Sequence, residues 1–95
     1  MSETPNIQIS IVVPLYNEDE SLPELHDWIC RVMKENNFTY EILFINDGST
    51  DESWSVIENL KTKDANVRGV KFQRNYGKSA ALHVGFGLTQ GKVVI

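Results

Sequence analysis

Three short segments of this sequence carry side chains that could bind a polar or charged ligand. Their letters are PLYNEDES at residues 14–21, NDGSTDES at residues 46–53 and RNYGKSAA at residues 74–81. The first two combine carboxylates with an aromatic ring, an amide or hydroxyls, groups that stack on a ligand or exchange hydrogen bonds with it. The third combines two basic side chains with a glycine, a pattern suited to an anion. Together the three segments could hold a polar molecule that carries negative charge.

The middle segment follows the apolar run ILFI, and two familiar interpretations of it fail. An Asp-Gly pair between apolar runs can form a hairpin turn, but the residues after Gly48 have helical periodicity. A calcium-binding loop needs acids at alternate positions before its glycine. With Gly48 as that glycine, ligand positions fall on Leu43 and Ile45, and the closing glutamate position falls on Trp54.

The remaining interpretation is a loop that leads from a strand into a helix at the ligand-binding edge of a sheet. Gly48 permits a sharp turn, and Ser49 is predicted to cap the following helix, with Glu52 three residues later. Asp47 is then surplus to capping, because the residues after Gly48 can fill that role. We predict that its carboxylate accepts hydrogen bonds from base N–H groups or ribose hydroxyls, and that removing it weakens ligand binding while leaving the fold intact.

The first segment lacks the glycines of a dinucleotide fingerprint. It offers instead the rigid Pro14, the ring of Tyr16, the amide of Asn17 and the carboxylate of Glu18. Tyr16 could stack on a base, and Glu18 could hold a ribose. The two acids at positions 19 and 20 are predicted to favour the positive N-terminal end of the next helix.

The third segment contains Gly-Lys-Ser but is not a P-loop, because that motif needs a glycine where this chain has Phe72. Gly77 and Lys78 still begin a predicted helix, whose free N–H groups attract anions. Arg74 and Lys78 add positive charge. Phosphate binding is one interpretation, and a solvent-exposed lysine without a ligand is the other.

Alternating strand and helix patterns must position these segments. Apolar runs rich in β-branched residues predict strands, and apolar residues at helical spacing predict helices. The order β-α-β-α-β-α-β indicates an α/β fold with a parallel sheet and helices on both faces. Right-handed crossovers that reverse after the third strand give a Rossmann-like spatial order of 3-2-1-4, with a ligand crevice at the carboxyl ends of the strands. The predicted strands are 7–14, 40–46, 67–72 and 92–95, and the predicted helices are 21–36, 50–64 and 77–91.

The ends and the packing of these elements are also marked in the sequence. Pro14 is predicted to end the first strand, and Ser21 with Glu24 fits a capping box at the start of the first helix. Gly91 is predicted to close the third helix. Small residues inside that helix, among them Gly85, predict close packing against the sheet.

Length and composition limit the class of protein. Ninety-five residues are enough for a single domain, 1–95. No run is apolar enough to cross a bilayer and the first residues are too polar for a signal peptide, so a cytoplasmic location is expected. Cys30, the single cysteine, excludes an internal disulfide and is predicted to be a small buried hydrophobe. His26 and His83 have no partner at metal-ligand spacing and are predicted to be structural.

The net charge of −4 is unevenly distributed along the chain, with −10 on residues 1–58 and +6 on residues 59–95. Two interpretations are open. Folding could mix these charges over the surface, or some of the late bases could face an anion. We expect no nucleic-acid partner.

Three longer stretches that contain these segments resemble a known family. SIVVPLYNEDESL, EILFINDGSTDES and RNYGKSAALHVGFGLTQGKVVI, in this order, look like the front half of a family 2 glycosyltransferase with the GT-A fold. The third stretch looks most like the polyprenyl-phosphate sugar transferases, the group that includes dolichol-phosphate mannose synthase. The resemblance covers the chain from about residue 9 to residue 95. It implies transfer of a sugar from a nucleotide-diphospho-sugar, with this chain as the part that recognises the nucleotide.

The resemblance also implies roles for individual residues. Pro14, Tyr16 and Glu18 match the loop that holds the base and ribose, and Asp47 matches the aspartate that contacts the base. Where many members have two aspartates before the glycine, this chain has Asn46 and then Asp47. The letters RNYGKS match the region near the diphosphate. The predicted nucleotide-sugar-binding set is Pro14, Tyr16, Asn17, Glu18, Asp47, Gly48, Ser49, Arg74, Gly77 and Lys78, with no catalytic residue in this chain.

One motif of the family is missing. Its metal-binding Asp-x-Asp should follow the fourth strand, just beyond Ile95. The resemblance therefore implies an N-terminal part of a larger inverting enzyme, inactive by itself. The parent would use Mg²⁺ or Mn²⁺, a UDP- or GDP-type sugar donor and a lipid-phosphate acceptor at the cytoplasmic face of a membrane. We also expect the short fourth strand to leave apolar surface exposed and to favour self-association.

The rival class is a non-catalytic doubly wound module used for signalling or interaction, such as a receiver domain. A receiver carries a phosphorylatable aspartate after a central strand, beside an acidic cluster. Asp47 and the acids at positions 18–20 could imitate that arrangement. Titration with UDP, GDP and a phosphoryl donor would separate the two classes.

Overall fold

The computed structural model of the protein describes residues 7–91 and 93–94. Strands and helices alternate along the whole of this part of the chain. The strands are β1 (Ile9–Leu15), β2 (Tyr40–Asn46), β3 (Val67–Lys71) and β4 (Val93–Val94), and the helices are α1 (Leu22–Glu35), α2 (Ser53–Lys63) and α3 (Lys78–Gly87). The predicted order of elements is confirmed.

The four strands form one parallel sheet with the spatial order β3-β2-β1-β4. This is the order that the sequence predicts, and the α/β fold class is confirmed. β1 pairs with β2 along its full length, from Ile9 opposite Tyr40 to Leu15 opposite Asn46. The direction of winding reverses after β3, so the topological switch point lies between β1 and β4. The carboxyl ends of β1 and β2 lie side by side next to this point.

The two faces of the sheet are covered by different helices. All seven residues of β2 are buried, so alternate side chains of this strand serve opposite faces. Ile42 and Phe44 pack in the core cluster that includes residues of α1 and α2, whereas Leu43 and Ile45 pack with Ala81 of α3. This explains why β2 is an almost continuous apolar run rather than an alternating one.

The third helix lies close to the sheet, as the small residues predict. A Cβ atom on Gly85 would lie 2.5 Å from a methyl carbon of Val12 and 3.2 Å from Ile45. Glycine therefore lets the α3 backbone approach β1 and β2 more closely than any other residue would allow.

Several predicted element ends are wrong. β1 continues past Pro14 to Leu15, and both residues pair with β2. α3 ends at Gly87 rather than Gly91. Gly91 instead donates its N–H to the Ser10 hydroxyl at 2.7 Å, where a Cβ would collide with the Ser10 backbone.

The side-chain bonds of the two predicted helix caps are not formed. Ser21 is the N-cap residue of α1, as predicted, but its side chain makes no cap hydrogen bond, so the predicted capping box is wrong. α2 begins at Ser53 with Glu52 as its N-cap residue, so Ser49 lies too far upstream to cap it. Both hydroxyls bond other groups: Ser49 accepts the Asn17 N–H of the neighbouring loop, and Ser21 donates to Glu18 within its own loop.

The buried carboxylate of Glu41 links β2 to β1 and β3 at the end of the sheet opposite the carboxyl ends of the strands. Glu41 is 1% exposed. One of its oxygens accepts hydrogen bonds from the Ser10 hydroxyl and the Gln90 N–H, and the other accepts one from the Arg68 guanidinium, all at 2.6 Å. Burial alone raises the pKa of Glu41, but these hydrogen bonds and the charge of Arg68 outweigh it and hold the pKa below its usual value.

We expect Glu41→Gln to destabilise the fold at neutral pH and to have a smaller effect in acid. The folded pKa lies below the unfolded one, so the stabilisation is complete above the unfolded pKa, near 4.5, and is lost as the pH falls through the folded value. We expect a loss of about 2 kcal/mol at neutral pH. Urea unfolding at pH 7 and at about pH 3 measures the difference, and Glu58→Gln, at an exposed position of α2, is the control. An equal loss at both pH values would contradict the assignment.

Candidate functional site

A cleft of about 390 Å³ lies at the carboxyl ends of β1 and β2 and at the start of α3. Cavities of roughly 300 to 1,000 Å³ are typical of small-molecule sites. Six of the ten predicted binding residues line the cleft, and sequence reasoning missed two others. The six are Pro14, Tyr16, Glu18, Asp47, Gly77 and Lys78, and the missed residues are Leu15 and Asn75.

A second cavity, of about 380 Å³, lies at the opposite edge of the sheet near Glu41 and Arg68. The charged groups of these two residues are already bonded to each other. In open α/β sheets, ligands bind outside the carboxyl ends of the strands. The cleft at the carboxyl ends of β1 and β2 is therefore the better candidate for a functional site.

Asp47 holds the segment that enters α3. Asp47 is 4% exposed. One of its carboxylate oxygens accepts a hydrogen bond from the Tyr76 N–H at 2.7 Å, and the other accepts one from the Gly77 N–H at 3.0 Å. The Asn75 side chain donates to the Asp47 carbonyl oxygen at 3.2 Å. The negative charge also lies near the positive N-terminal end of α3, which is favourable. Asp47 does not cap α2, but it has a structural role that the sequence did not indicate, because it bonds the N-cap residue of α3, Gly77.

Gly48 makes this approach possible. Its φ of +72° lies in the left-handed region, which side chains other than glycine rarely adopt. A Cβ atom would overlap the carbonyl carbon of Arg74 and the amide nitrogen of Asn75, and would lie 2.6 Å from the Arg74 carbonyl oxygen. The backbone of the third segment therefore lies directly against Gly48, so this glycine supports one wall of the cleft without lining it.

The first two loops are joined by hydrogen bonds between backbone N–H groups and short polar side chains. The Asn17 N–H donates to the Ser49 hydroxyl and the Asn17 amide oxygen accepts the Thr50 N–H, both at 2.9 Å. The Glu18 N–H donates to the Ser53 hydroxyl at 3.0 Å. Asn17 adopts a left-handed φ of +54°, which asparagine tolerates better than most residues. Asn17 and Ser49 therefore fix the loops that form the cleft rather than line it.

Two aspartates reinforce this junction. Asp51 accepts the Asp19 N–H, and Asp19 accepts the Glu52 N–H, both at 3.3 Å. Desolvation raises the pKa of Asp51, but hydrogen bonds from Ser53 and Asp19 outweigh it and lower the pKa below its usual value. Asp19 was predicted to favour the start of α1, whereas its carboxylate bonds the N-cap residue of α2.

The first loop presents an aromatic ring and a carboxylate to the cleft. Tyr16 is 46% exposed, which leaves its ring available to a ligand. Glu18 is oriented by Ser21, whose hydroxyl donates to the Glu18 carboxylate at 2.8 Å. The Ser21 hydroxyl therefore positions a side chain of the cleft wall instead of completing the predicted capping box with Glu24.

The two predicted anion-binding bases differ in position. Lys78 is the first residue of α3 and lines the cleft. Arg74 does not line it, and its guanidinium lies 4.8 Å from the centre of the Tyr76 ring in a cation–π contact. The N-terminal turn of α3 and Lys78 are thus the groups that could meet a phosphate here.

The cleft residues do not form a metal site by themselves. Its two carboxylates are Glu18 and Asp47, and both oxygens of Asp47 already accept backbone N–H groups. Within residues 7–91 and 93–94, no group of three or more His, Cys, Asp or Glu side chains suited to a metal lies at the cleft. Any metal bound beside this cleft would need ligands from other residues.

Sequence comparison gives a family. The family model described as "Glycosyl transferase family 2" matches residues 10–95. The undecaprenyl-phosphate 4-deoxy-4-formamido-L-arabinose transferase of Pseudomonas fluorescens is 44% identical over 88 residues, which are 92% of this chain and 26% of that protein. The bactoprenol glucosyl transferase of Shigella phage SfX is 39% identical over 89 residues, 94% of this chain and 29% of that protein. The chain thus spans little more than a quarter of the length of these relatives.

Solved structures share the fold. Mannosyltransferase PcManGT from Pyrobaculum calidifontis, in complex with GDP-Man and Mn²⁺, has a TM-score of 0.79 at 23% identity, covering 96% of this chain and 27% of that one. S. aureus TarS 1-349 in complex with UDP-GlcNAc has a TM-score of 0.78 at 22% identity, covering 94% of this chain and 25% of that one. These similarities confirm a GT-A, Rossmann-like fold.

Among the described residues, no helix is both long and apolar enough to span a bilayer.

Proposed function

The chain belongs to glycosyl transferase family 2, and we propose that it forms the nucleotide-sugar-binding part of a glycosyltransferase. The observation that carries this proposal is the cleft at the carboxyl ends of β1 and β2, where three segments far apart in sequence contribute an aromatic ring, carboxylates and a lysine. A nucleoside diphosphate needs this combination: a stacking surface, acceptors for base and ribose, and positive potential for phosphate.

Each group that lines the cleft has a separate role in binding the nucleotide. Tyr16 stacks on the base and Glu18 accepts a hydrogen bond from a ribose hydroxyl. Asp47 accepts from a base N–H with the lone pairs that remain after its bonds to Tyr76 and Gly77, because each carboxylate oxygen can accept two hydrogen bonds. Lys78 and the first N–H groups of α3 lie beside the diphosphate. Asn17, Gly48 and Ser49 act indirectly, by fixing the loops that carry these groups.

The reaction itself needs more than these residues. We propose that Mg²⁺ or Mn²⁺ neutralises the leaving diphosphate in the whole enzyme, with ligands outside residues 1–95, and that the acceptor is a polyprenyl phosphate. The relatives named for undecaprenyl phosphate and bactoprenol support this acceptor class. An acceptor of that kind places the enzyme at the cytoplasmic face of a membrane. Self-association through the edge strand β4 stays a prediction.

The proposal is tested by titrating the purified protein with GDP and UDP and with the matching nucleosides. We expect one of the two diphosphates to bind, and Lys78→Ala to weaken it about 10-fold, the effect of losing one charge-assisted hydrogen bond of about 1.5 kcal/mol. The affinity for the nucleoside should change little, because Lys78 contacts only phosphate. Lys61→Ala, at an exposed lysine of α2 outside the cleft, is the matched control.

Failure to bind either nucleotide, or equal effects of the two lysine substitutions, would overturn the proposal. The receiver-like alternative predicts phosphorylation of Asp47 by a small phosphoryl donor such as acetyl phosphate. Asp47 is buried and accepts hydrogen bonds from two backbone N–H groups. This disfavours phosphorylation, because the carboxylate would have to break these hydrogen bonds before it could attack the phosphoryl group.

A further inference from the structure

Three side chains that can bind metal ions meet between α1 and α2, far from the cleft. They are His26 and Cys30, one turn apart on α1, and Asp64, which follows the last residue of α2. From the sequence, His26 is predicted to be structural, with no partner at metal-ligand spacing, and Cys30 is predicted to be a small buried hydrophobe. The structure supplies the partner from another helix, 38 residues after His26 and 34 after Cys30.

The donor atoms are close to the separations that a tetrahedral zinc site requires. The His26 Nε2 atom lies 2.8 Å from the Asp64 Oδ2 atom, and the Cys30 sulfur lies 3.4 Å from each of them. Zinc bonds of about 2.0–2.3 Å at a tetrahedral angle place N, O and S ligands about 3.3–3.6 Å apart. The sulfur is already at such a separation, and the His26 and Asp64 atoms would need to move apart by about half an ångström to admit the ion between the three.

The surroundings orient the ligands. The other Asp64 oxygen, Oδ1, accepts the Asn66 N–H at 2.9 Å, which leaves Oδ2 directed at His26 and Cys30. The Tyr40 hydroxyl lies beside the Cys30 thiol. Metal ligands in proteins are commonly fixed by such outer hydrogen bonds.

The donor chemistry selects the class of ion. A thiolate, an imidazole and a carboxylate match the N/O/S preference of zinc, whereas Mg²⁺ and Ca²⁺ prefer oxygen ligands alone. One thiolate and one carboxylate also balance the charge of a divalent ion. The His26 and Asp64 side chains are 15% and 18% exposed, so an ion can enter from solvent and a water molecule can complete its coordination.

We propose that His26, Cys30 and Asp64 form a structural zinc site that links α1 to the end of α2. Asp64 follows the C-terminal end of α2, at the end of the sheet where β2 begins with Tyr40. The nucleotide cleft lies beyond the opposite end of β2. The ion therefore acts on stability, by fixing the two helices that cover one face of the sheet, and takes no part in the chemistry at the cleft.

The experiment uses untagged protein freed of metal with a chelator and titrated with Co²⁺, a spectroscopic substitute for zinc. We expect one Co²⁺ per chain, an absorption band from thiolate-to-cobalt charge transfer, and displacement of that band by Zn²⁺. Zn²⁺ should also raise the midpoint of thermal unfolding as its concentration increases, whereas Mg²⁺ should not.

The variants identify the ligands. Cys30→Ser should abolish the charge-transfer band and weaken zinc binding by at least about 10-fold, since losing even an outer-shell partner costs that much. His26→Gln should weaken it similarly and serves as the second variant if the serine variant is unfolded by circular dichroism. His83→Ala, at an exposed histidine of α3, should change nothing. A cobalt complex without the charge-transfer band, or zinc binding that survives both α1 substitutions, would overturn the proposal.

Discussion

Asp47→Asn is expected to loosen the segment that enters α3 and to weaken nucleotide binding at the same time. The asparagine amide has one acceptor oxygen, so its NH₂ group would face a backbone N–H that Asp47 now accepts. One of the two backbone N–H groups, that of Tyr76 or Gly77, then has no acceptor. The other bonds a neutral oxygen in place of a charged one. We expect the free energy of unfolding to fall by about 2–4 kcal/mol.

Amide hydrogen exchange at Tyr76 and Gly77 measures this effect where it arises. A local loss of about 2 kcal/mol corresponds to exchange that is about 30-fold faster. Asp27→Asn is the control, because it removes the same charge from an exposed i,i+4 pair with Arg31, and such pairs contribute little. Unchanged exchange together with weaker nucleotide binding would mean that Asp47 serves the ligand alone, as the sequence predicts.

Gly48→Ala is expected to be the most damaging single-methyl substitution among the residues that form or support the cleft. The new Cβ would overlap backbone atoms of Arg74 and Asn75, and these cannot move aside as the end of a flexible side chain can. The left-handed φ of +72° adds conformational strain. We expect a loss of about 3 kcal/mol or more, together with loss of nucleotide binding, because the third segment is displaced from Asp47.

Gly87→Ala is the matched control for this substitution. It adds the same methyl group at the last residue of α3, where a Cβ atom would meet nothing within 4 Å. Alanine is favoured over glycine in a helix by about 1 kcal/mol, so this variant should be as stable as the parent or slightly more so. Thermal and urea unfolding compare the two. If Gly48→Ala unfolds at the same urea concentration as Gly87→Ala, the close approach at Gly48 is not a constraint.

Both predictions depend on the same structural feature, which is that the cleft is built from loops that hold one another. The first two loops are joined through Asn17 and Ser49, and the second and third through Asp47 and Gly48. A ligand that enters this cleft meets groups whose positions are already fixed, so less conformational entropy is lost on binding. Substitutions at the supporting residues should therefore change affinity even though they do not touch the ligand.

Much of the fold is predictable because its signals are local. The apolar run of β2 indicates a strand buried on both faces, and the spacing of Leu22, Ile29 and Met33 indicates an amphipathic helix. Alternating strands and helices with right-handed crossovers leave few sheet orders, and the predicted order 3-2-1-4 is confirmed. The position of the cleft follows, since the carboxyl ends of neighbouring parallel strands must meet.

Hydrogen-bond partners are not predictable in the same way. Local patterns favour Ser49 as a cap for α2 and Ser21 as a cap for α1, whereas the structure assigns these hydroxyls to Asn17 and Glu18. A serine near a helix start has several acceptors and donors within reach, and the folded loops decide among them: Ser21 donates within its own loop, whereas Ser49 accepts from the neighbouring one. The same limit applies to His26, whose partner Asp64 belongs to another helix.

The sequence by itself determined the elements, the order of the strands, the family and the edge of the sheet at which a ligand would bind. Periodicity, crossover handedness and motif order are enough for these, because each depends on residues close together in the chain or on a general rule of topology. Only the tertiary structure decided what each polar side chain does. Asp47 bonds N–H groups 29 and 30 residues away, and a contact over that separation exists only after the strands have brought the loops together.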